Sequence, residues 1–483
     1  MTNCYDIIII IGDTKVKGEE GEKMKDLTKG NIYKVFFSFG LPLVLSGLLS
    51  QFYGIVDTAI AGQIFGDVGL AAIGATAPFI TFISSVFWGY GVGFSIYVAR
   101  LFSAKEYKKI KNVVYSNYLF MGIIAVAISV LAVCFNGPLF TLLQIEESLR
   151  PTALAYFFIY VLGLFPIIMT ANGLYIMNAF GESKYPFMMS IISMLLNIGG
   201  NLFFVLVLGM GIEGLALASV IAATVVFLLY FIKFRSFLKE LGVQKERVHI
   251  SFACLKNSVP YALPNMLQQM SMYFASLAIS PMVNGLGPAA TASYSVSLRV
   301  YDIVAAVYQN SARCISNYSA QCVGKNKCEK IRKGVFVGLI QGIAFATPFI
   351  LAFALFHEPL CSLFLKADAS TLTKEYVYAF CKYYLPFIYF NLVCNLFHGL
   401  YRGTKATGYL FASTLTGALS RLVYSALLIP SMGMYGFFLG WLLSWVTESV
   451  FTVLLFFFGK WNPGNQPAVQ AENSERENAQ NER

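Results

Sequence analysis

Runs of twenty or more mainly apolar residues, separated by short polar or basic segments, recur twelve times along the chain. They lie at 34–60, 70–99, 113–135, 153–179, 185–208, 212–232, 258–283, 289–318, 335–356, 376–401, 407–429 and 434–458. A helix needs about 20 such residues to cross roughly 30 Å of hydrocarbon, so each run predicts one transmembrane helix. The strand-like alternation of outer-membrane barrels is absent. The expected fold is therefore all-α and polytopic, with twelve spans.

The chain also repeats itself. Pro42 matches Pro264, Lys109-Ile110-Lys111 matches Lys330-Ile331-Arg332, Pro138-Leu139 matches Pro359-Leu360, and the Met210-Gly211 to Gly214 segment matches Met432-Gly433 to Gly436, always at an offset of 221–222 residues. Each repeat holds six spans, an even number, so both halves enter the membrane from the same side. Parallel repeats of this kind characterise secondary transporters. The expected organisation is an N-terminal segment at 1–33, a first lobe at 34–232, an inter-lobe loop at 233–257, a second lobe at 258–458 and a disordered polar tail at 459–483. The apolar stretch Ile7 to Ile11 is too short for a span or a signal-peptide core. Residues 18–23 would be encoded by purine-rich codons like those of a ribosome-binding site, which predicts Met24 as the natural start.

Composition agrees with this picture and narrows the function. Of the 483 residues, 57% are hydrophobic and 12% charged, against about 25% charged in soluble domains. The net charge of +10 comes from 35 basic and 25 acidic residues. Of the lysines and arginines, 28 fall in the loops and tails of one side, 3 on the other and 4 in spans. This bias places both termini and the 233–257 loop in the cytoplasm and leaves no basic, water-exposed face for nucleic acid. No phosphate-binding loop is present, so no ATP is used. The nine cysteines show neither a disulfide framework nor a zinc spacing. His249, His357 and His398 stand apart in the sequence and read as loop or packing residues. An enzyme is not expected, nor any cofactor beyond a coupling ion.

Charges inside membrane spans are costly and usually functional. Three acids fall in spans: Asp57, Asp302 and Glu448. Asp302 follows Arg299 by three residues on one helix face, which suits a structural ion pair or a cation or substrate site. Glu448 has no partner legible in the sequence and either pairs or snorkels. The first span holds no basic residue after Lys34. A carboxylate desolvated there at Asp57 can take up a proton or bind Na⁺; the alternative is that Asp57 sits at the outer water boundary. Pro42, earlier in that span, supplies a possible hinge.

The pattern Pro42…Tyr53-Gly-Ile-Val-Asp57-Thr58, then Gly66-Asp-Val-Gly-Leu-Ala71-Ala72, resembles the multidrug and toxic compound extrusion (MATE) family. Leu196-Asn197-Ile-Gly-Gly-Asn201, Gly211-Ile-Glu-Gly214 and Gly399-Leu-Tyr-Arg402-Gly403 carry the same resemblance, which covers about 24–458. It implies two six-helix lobes forming a V around a central cavity, and exchange of H⁺ or Na⁺ for organic cations. It further implies a cation-coupling site at Asp57, Asn197, Asn201 and Ser219, with Na⁺ possible at Asp57, Asn197 and Asn201. The family's second acid is Asn201 here, and an amide carries no proton, so one titratable group remains. The acid pair that another branch of the family uses in its second lobe corresponds to Met272 and Asn391. Asp302, with Arg299, is the candidate left in that lobe.

These features predict a bacterial plasma-membrane antiporter exporting amphipathic organic cations, acting as a monomer without nucleic acid or ATP. Aromatic and amide side chains suit such substrates. The candidates are Gln51, Tyr53, Asn172 and Tyr175 in the first lobe and Gln268, Tyr273 and Tyr301 in the second, each of which could equally be a packing or lipid-facing residue. Two rivals remain: a flippase for lipid-linked saccharides, which an arginine-lined cavity would favour, and a membrane-embedded enzyme, which clustered catalytic groups would favour.

Overall fold

The computed structural model describes residues 26–463 apart from 143, 144, 146 and 366–368. Within helices, the side chains at 55, 57–59, 61, 62, 66–71, 78, 142, 148 and 277 lie outside the described set. The predicted start at Met24 and the 464–483 part of the tail also lie outside it. Every described secondary-structure element is helical. Large apolar side chains stay exposed along these helices, among them Val207, Leu355 and Phe458. Surfaces of this kind are solvated by lipid, and a helix satisfies its own backbone there.

The first helix runs from Ile32 to Ser103, capped by the Asn31 side chain, which accepts from the Tyr33 amide at 3.0 Å. At 1.5 Å per residue a straight helix of 72 residues would be about 108 Å long. Yet the Leu27 amide bonds Gln321 Oε1, and the Arg100 backbone lies against Gly324. Both ends therefore meet the same end of the helix Pro288–Gly324, and the chain doubles back between its two apolar spans, Ile32–Gly54 and Phe79–Ser103. Helical hydrogen bonding persists where the sequence suggested a loop at 61–69. The eleventh and twelfth spans follow each other directly within Thr407–Phe458, separated by a non-helical kink at Gly433 with φ 56°, a conformation that favours glycine.

Other spans depart from straight rods. The fourth is two helices, Arg150–Leu162 and Leu164–Ala179, bent by 50° at Gly163, where a side chain would strike Val220. The fifth, Lys184–Leu202, continues as a π-helix over Phe203–Val207. The sixth, Glu213–Glu240, carries helix two turns into the expected inter-lobe loop. The seventh is Val259–Asn284, the eighth Pro288–Gly324 and the ninth Glu329–Leu355. The tenth passes from Thr371–Ala379 through a π-helix and a 3₁₀ turn into Ile388–Thr404. At the start of the expected disordered tail, Trp461 is instead buried, stacked on Phe456 and donating to its carbonyl at 2.7 Å.

Two hydrophobic cores form. One gathers the second to sixth spans, the other the seventh to twelfth together with Phe36, Phe39, Leu43 and Leu48 of the first. The lobes meet near the end where the basic loops lie. There Gln341 Nε2 donates to the Phe36 carbonyl at 3.0 Å, and Gly40 and Gly47 leave room for the amides of Gln341 and Asn310. Gly89 and Gly93 lie against the backbone of Tyr261 to Met266, a small-xxx-small contact that lets two helices approach closely. Arg100 donates to Tyr261 Oη at 2.9 Å and to the Gly403 carbonyl at 3.2 Å. Farther from this end, Gly54 continues the Gly40 and Gly47 series, and among the described residues no atom lies within 4 Å of a would-be side chain. Arg299 and Asp302, on the face of the eighth span that carries Ala306 and Asn310, are exposed. The lobes are together at the basic end and apart at the other.

Asp26 adds a latch. It pairs with Lys325 and accepts from Thr28 Oγ1 at 2.7 Å, so the segment before the first span holds the segment after the eighth. Partial burial raises the Asp26 carboxyl, but the bonds from Lys325 and Thr28 outweigh it and hold the carboxyl below its ordinary value. A depressed carboxyl stabilises the folded arrangement at neutral pH and loses that contribution as pH falls through its own pKa. A half-exposed pair contributes about 0–1 kcal/mol. Asp26→Asn is therefore expected to raise thiol labelling of a cysteine placed at Ser103 by up to about fivefold at pH 7, with the difference from wild type vanishing in acid.

Candidate functional site

Four of the expected coupling and cavity residues converge. The fifth span presents Asn197 and Asn201 one helical turn apart, the sixth presents Ser219, and the first presents Tyr53. Asn197 Nδ2 donates to Tyr53 Oη at 3.1 Å and to Ser219 Oγ at 2.9 Å, and Tyr53 Oη lies 3.1 Å from Ser219 Oγ. Asn201 Nδ2 donates to Asn197 Oδ1 at 3.0 Å. Both asparagines are buried. The Tyr53–Ser219 contact joins residues 166 apart in sequence. Asp57 lies one turn beyond Tyr53 on the same helix; its side chain is among those outside the described set. The cluster offers hydroxyl and amide oxygens, hard donors that can ligate a cation such as Na⁺. Pro42 sits inside the first span, three turns before this cluster.

The cavity candidates divide. Tyr175 stands at the lobe interface, its ring 5.2 Å from the Arg313 guanidinium and its hydroxyl accepting from Arg313 Nη2 at 3.4 Å. Tyr273 faces Phe82 across the lobes, with ring centroids 6.0 Å apart. Gln51 is half-buried on the first span. Asn172 does not line the cleft. It is buried inside the first lobe, donating to the Ile168 carbonyl at 3.0 Å and accepting from Asn117, because a buried amide needs partners on both its ends. Gln268 is similarly buried, accepting from Arg402 Nη2 at 2.8 Å. Tyr301 packs between Trp441 and Trp445 and donates to Asn391 Oδ1 at 3.3 Å. Asn391 also accepts from Tyr308 Oη at 2.6 Å and from Asn395, so the second lobe holds an uncharged phenol–amide cluster at this position. Among the described contacts Arg299 and Asp302 form no ion pair with each other; both are exposed.

His398 is buried, as a packing histidine is, and it also faces an acid from another span. Its Nε2 lies 2.8 Å from Ser413 Oγ, 3.3 Å from Cys394 Sγ and 3.8 Å from Glu448 Oε1. Gly417 makes the room that the Glu448 carboxyl occupies. The tenth, eleventh and twelfth spans bring this set together, His398 and Glu448 from positions 50 residues apart, so no local spacing announces it. On its other edge Nδ1 faces Gln268 Nε2 at 3.5 Å. Arg402 fixes that amide with its oxygen toward the guanidinium, which presents an N–H to Nδ1 and leaves the ring proton on Nε2.

Comparison with known proteins gives the setting. A family model described as MatE matches residues 42–203 and 264–427, the two repeats. The chain is 25% identical over 348 residues to a probable multidrug resistance protein, YoeA, of Bacillus subtilis, covering 70% of this chain and 74% of that one. It is 24% identical over 427 residues to the multidrug export protein MepA of Staphylococcus aureus, covering 86% and 90%. It is 24% identical over 355 residues to an FAD transporter of Shewanella oneidensis, covering 71% and 77%. In fold it matches a MATE family multidrug resistance transporter solved in an outward-facing conformation, with TM-score 0.81, 18% identity and coverage of 94% and 100%. It also matches a transporter of the same superfamily from Pyrococcus furiosus, described as having a binding pocket of reversed polarity, with TM-score 0.82, 19% identity and coverage of 92% and 98%. Twelve-span architecture, the parallel repeat and these matches agree: the chain belongs to the MatE family and is a multi-pass membrane transporter, not an enzyme.

Proposed function

We propose that this protein is a cation-coupled exporter of the bacterial plasma membrane, taking up H⁺ or Na⁺ in exchange for amphipathic organic cations, with both termini in the cytoplasm. The observation that carries the reading is the Tyr53–Asn197–Ser219–Asn201 network, which ties the first span to the fifth and sixth one turn from Asp57. Neutralising a carboxylate beside that network changes which packing of the first span is preferred, and so links ion binding to the side on which the lobes part. The aromatic groups between the lobes, Tyr175, Tyr273 and Phe82, suit planar and cationic substrates. A flippase for lipid-linked saccharides is the rival reading within the superfamily; the multidrug names of YoeA and MepA favour export of small molecules.

Proteoliposomes containing the purified protein test this. A monovalent cationic dye is expected to accumulate against its gradient when an opposing H⁺ or Na⁺ gradient is imposed, and to stop when the gradient is collapsed. Accumulation indifferent to both ions would refute the coupling.

A further inference from the structure

The connector between the ninth and tenth spans brings two thiols together. It begins with the short helix His357–Ser362, and the one buried residue of that helix is Cys361. Its Sγ lies 3.4 Å from Sγ of Cys381, which belongs to the π-helix Phe380–Tyr384 of the tenth span. Both side chains are fully buried, and both are free thiols. Sulfur atoms this close need only a small side-chain rotation to reach bonding distance. A separation of 20 residues carries no signature in the sequence. The contact exists because the connector folds back onto the span that follows it, where the His357 and Tyr378 rings also meet at 5.3 Å between centroids.

The place of the pair matters as much as its geometry. The ninth span starts from the basic 325–333 loop, so on the proposed orientation its far end, and the connector with it, faces outside the cell. Disulfides persist on that side of a membrane and are rare on the other. The span that receives the contact is also bent there. It leaves the α-helix over Phe380–Tyr384 and Leu385–Phe387 before Ile388–Thr404 carries Asn391 and His398 inward. Phe380, next to Cys381, stacks on Trp441 with ring centroids 5.6 Å apart. A bond at Cys381 fastens the connector to the turn that aims the inner half of the tenth span, and π-turns are frequent at functional positions.

We propose that Cys361 and Cys381 are a redox pair that closes to a disulfide and tethers the connector to the tenth span, with a small organic disulfide, RSSR, as oxidant. The proposal takes its membrane orientation from the exporter reading. Ser362 and Leu363, the neighbours of Cys361, are exposed, so the Cys361 thiolate attacks first, bonding to one sulfur of RSSR and expelling RS⁻. The Cys381 thiolate then attacks the Cys361 sulfur and expels the second RS⁻. Two thiols are oxidised and RSSR is reduced to two RSH, which take up the two protons that the cysteines lose.

The test uses the purified full chain in detergent, treated with excess oxidised glutathione or with dithiothreitol, then denatured, alkylated with N-ethylmaleimide and digested for mass spectrometry. Oxidised wild type is expected to give peptides linked through Cys361 and Cys381 in more than about half of the chains, and reduced wild type none. Closing a loop of this length should raise the melting temperature of oxidised over reduced wild type by about 5 °C. Cys361→Ala and Cys381→Ala should each abolish that difference. Oxidised wild type in which both thiols are alkylated, or end only as glutathione adducts, overturns the proposal. The orientation is read separately, from a cysteine replacing the exposed Thr371 of the same connector in a cysteine-free background, which should react with an impermeant maleimide in intact cells. Linking in detergent without that reaction would support the pair and count instead against the orientation in the exporter reading.

Discussion

Asp57→Asn should insert and fold normally yet lose gradient-driven export, with dye accumulation falling at least about tenfold. On the proposed mechanism this is the residue that exchanges the coupling ion. The groups gathered one turn away, Tyr53, Asn197, Asn201 and Ser219, are neutral, and amides and hydroxyls can ligate an ion but cannot exchange a proton at physiological pH. No second carboxylate stands at Asn201 to take over. Removing the single ionisable group therefore removes the free-energy difference through which an ion gradient biases the two packings. Binding of one monovalent ion cancels one charge. Exchange against a monovalent cation is then electroneutral, and the membrane potential, worth about 2.3 kcal/mol per charge per 100 mV, does no net work on it. If the variant accumulates dye at the wild-type rate, Asp57 is not the coupling group, and the exposed Asp302 or the partly buried Glu448 takes its place as candidate.

Gly93→Val should have the second-largest effect, by a different route. At Gly93 a Cβ would fall 2.6 Å from Ala262 Cα and even closer to the Tyr261 carbonyl, and backbone has no rotamer with which to give way. The second and seventh spans can accept valine there only by separating. Overpacking of this kind costs about 1–3 kcal/mol, which shifts a two-state equilibrium by roughly 5- to 150-fold. The lobes should then part at the basic end. Ser103→Cys, buried at that end beside Gly324, would label faster by that factor in a cysteine-free background, and export would fall because the cycle is trapped in one state. Unchanged labelling and transport would mean that the lobes do not close on this contact.

The membrane-spanning character was legible because lipid imposes a length and an apolarity on every span, and the repeat was legible because turn residues such as Gly211 and Gly433 recur at the offset of the lobes. Where the structure departs from the expected elements, local signals were weaker than tertiary ones. Gly66 and Asp67 suggested a loop, but one glycine costs a helix only about 1 kcal/mol, and helical bonding continues through them. The bend at Gly163 and the close approach at Gly89 and Gly93 are set by partners far along the chain. The G-x-x-x-G spacing at Gly89 and Gly93 was nonetheless readable as a helix-packing signal. The coupling-site residues came from resemblance, and their convergence depends on the first span reaching the sixth, which no local periodicity encodes. The His398–Cys394–Glu448 group was missed for the same reason: Cys394 and His398 share a helix face at i, i+4, while the acid arrives from another span. Asn172 and Gln268 were read as cavity groups because buried amides and cleft-lining amides look alike in sequence; only their partners separate them.

The central claim, that a lone carboxylate beside the Asn197 network carries the coupling ion, is tested most directly by counting ions on the purified protein. Equilibrium binding of radioactive Na⁺, paired with proton release in weakly buffered solution when substrate is added, reports either ion without a gradient. The account predicts about one ion per wild-type chain for the coupling species and none for Asp57→Asn. Stoichiometric binding that survives in Asp57→Asn would contradict it.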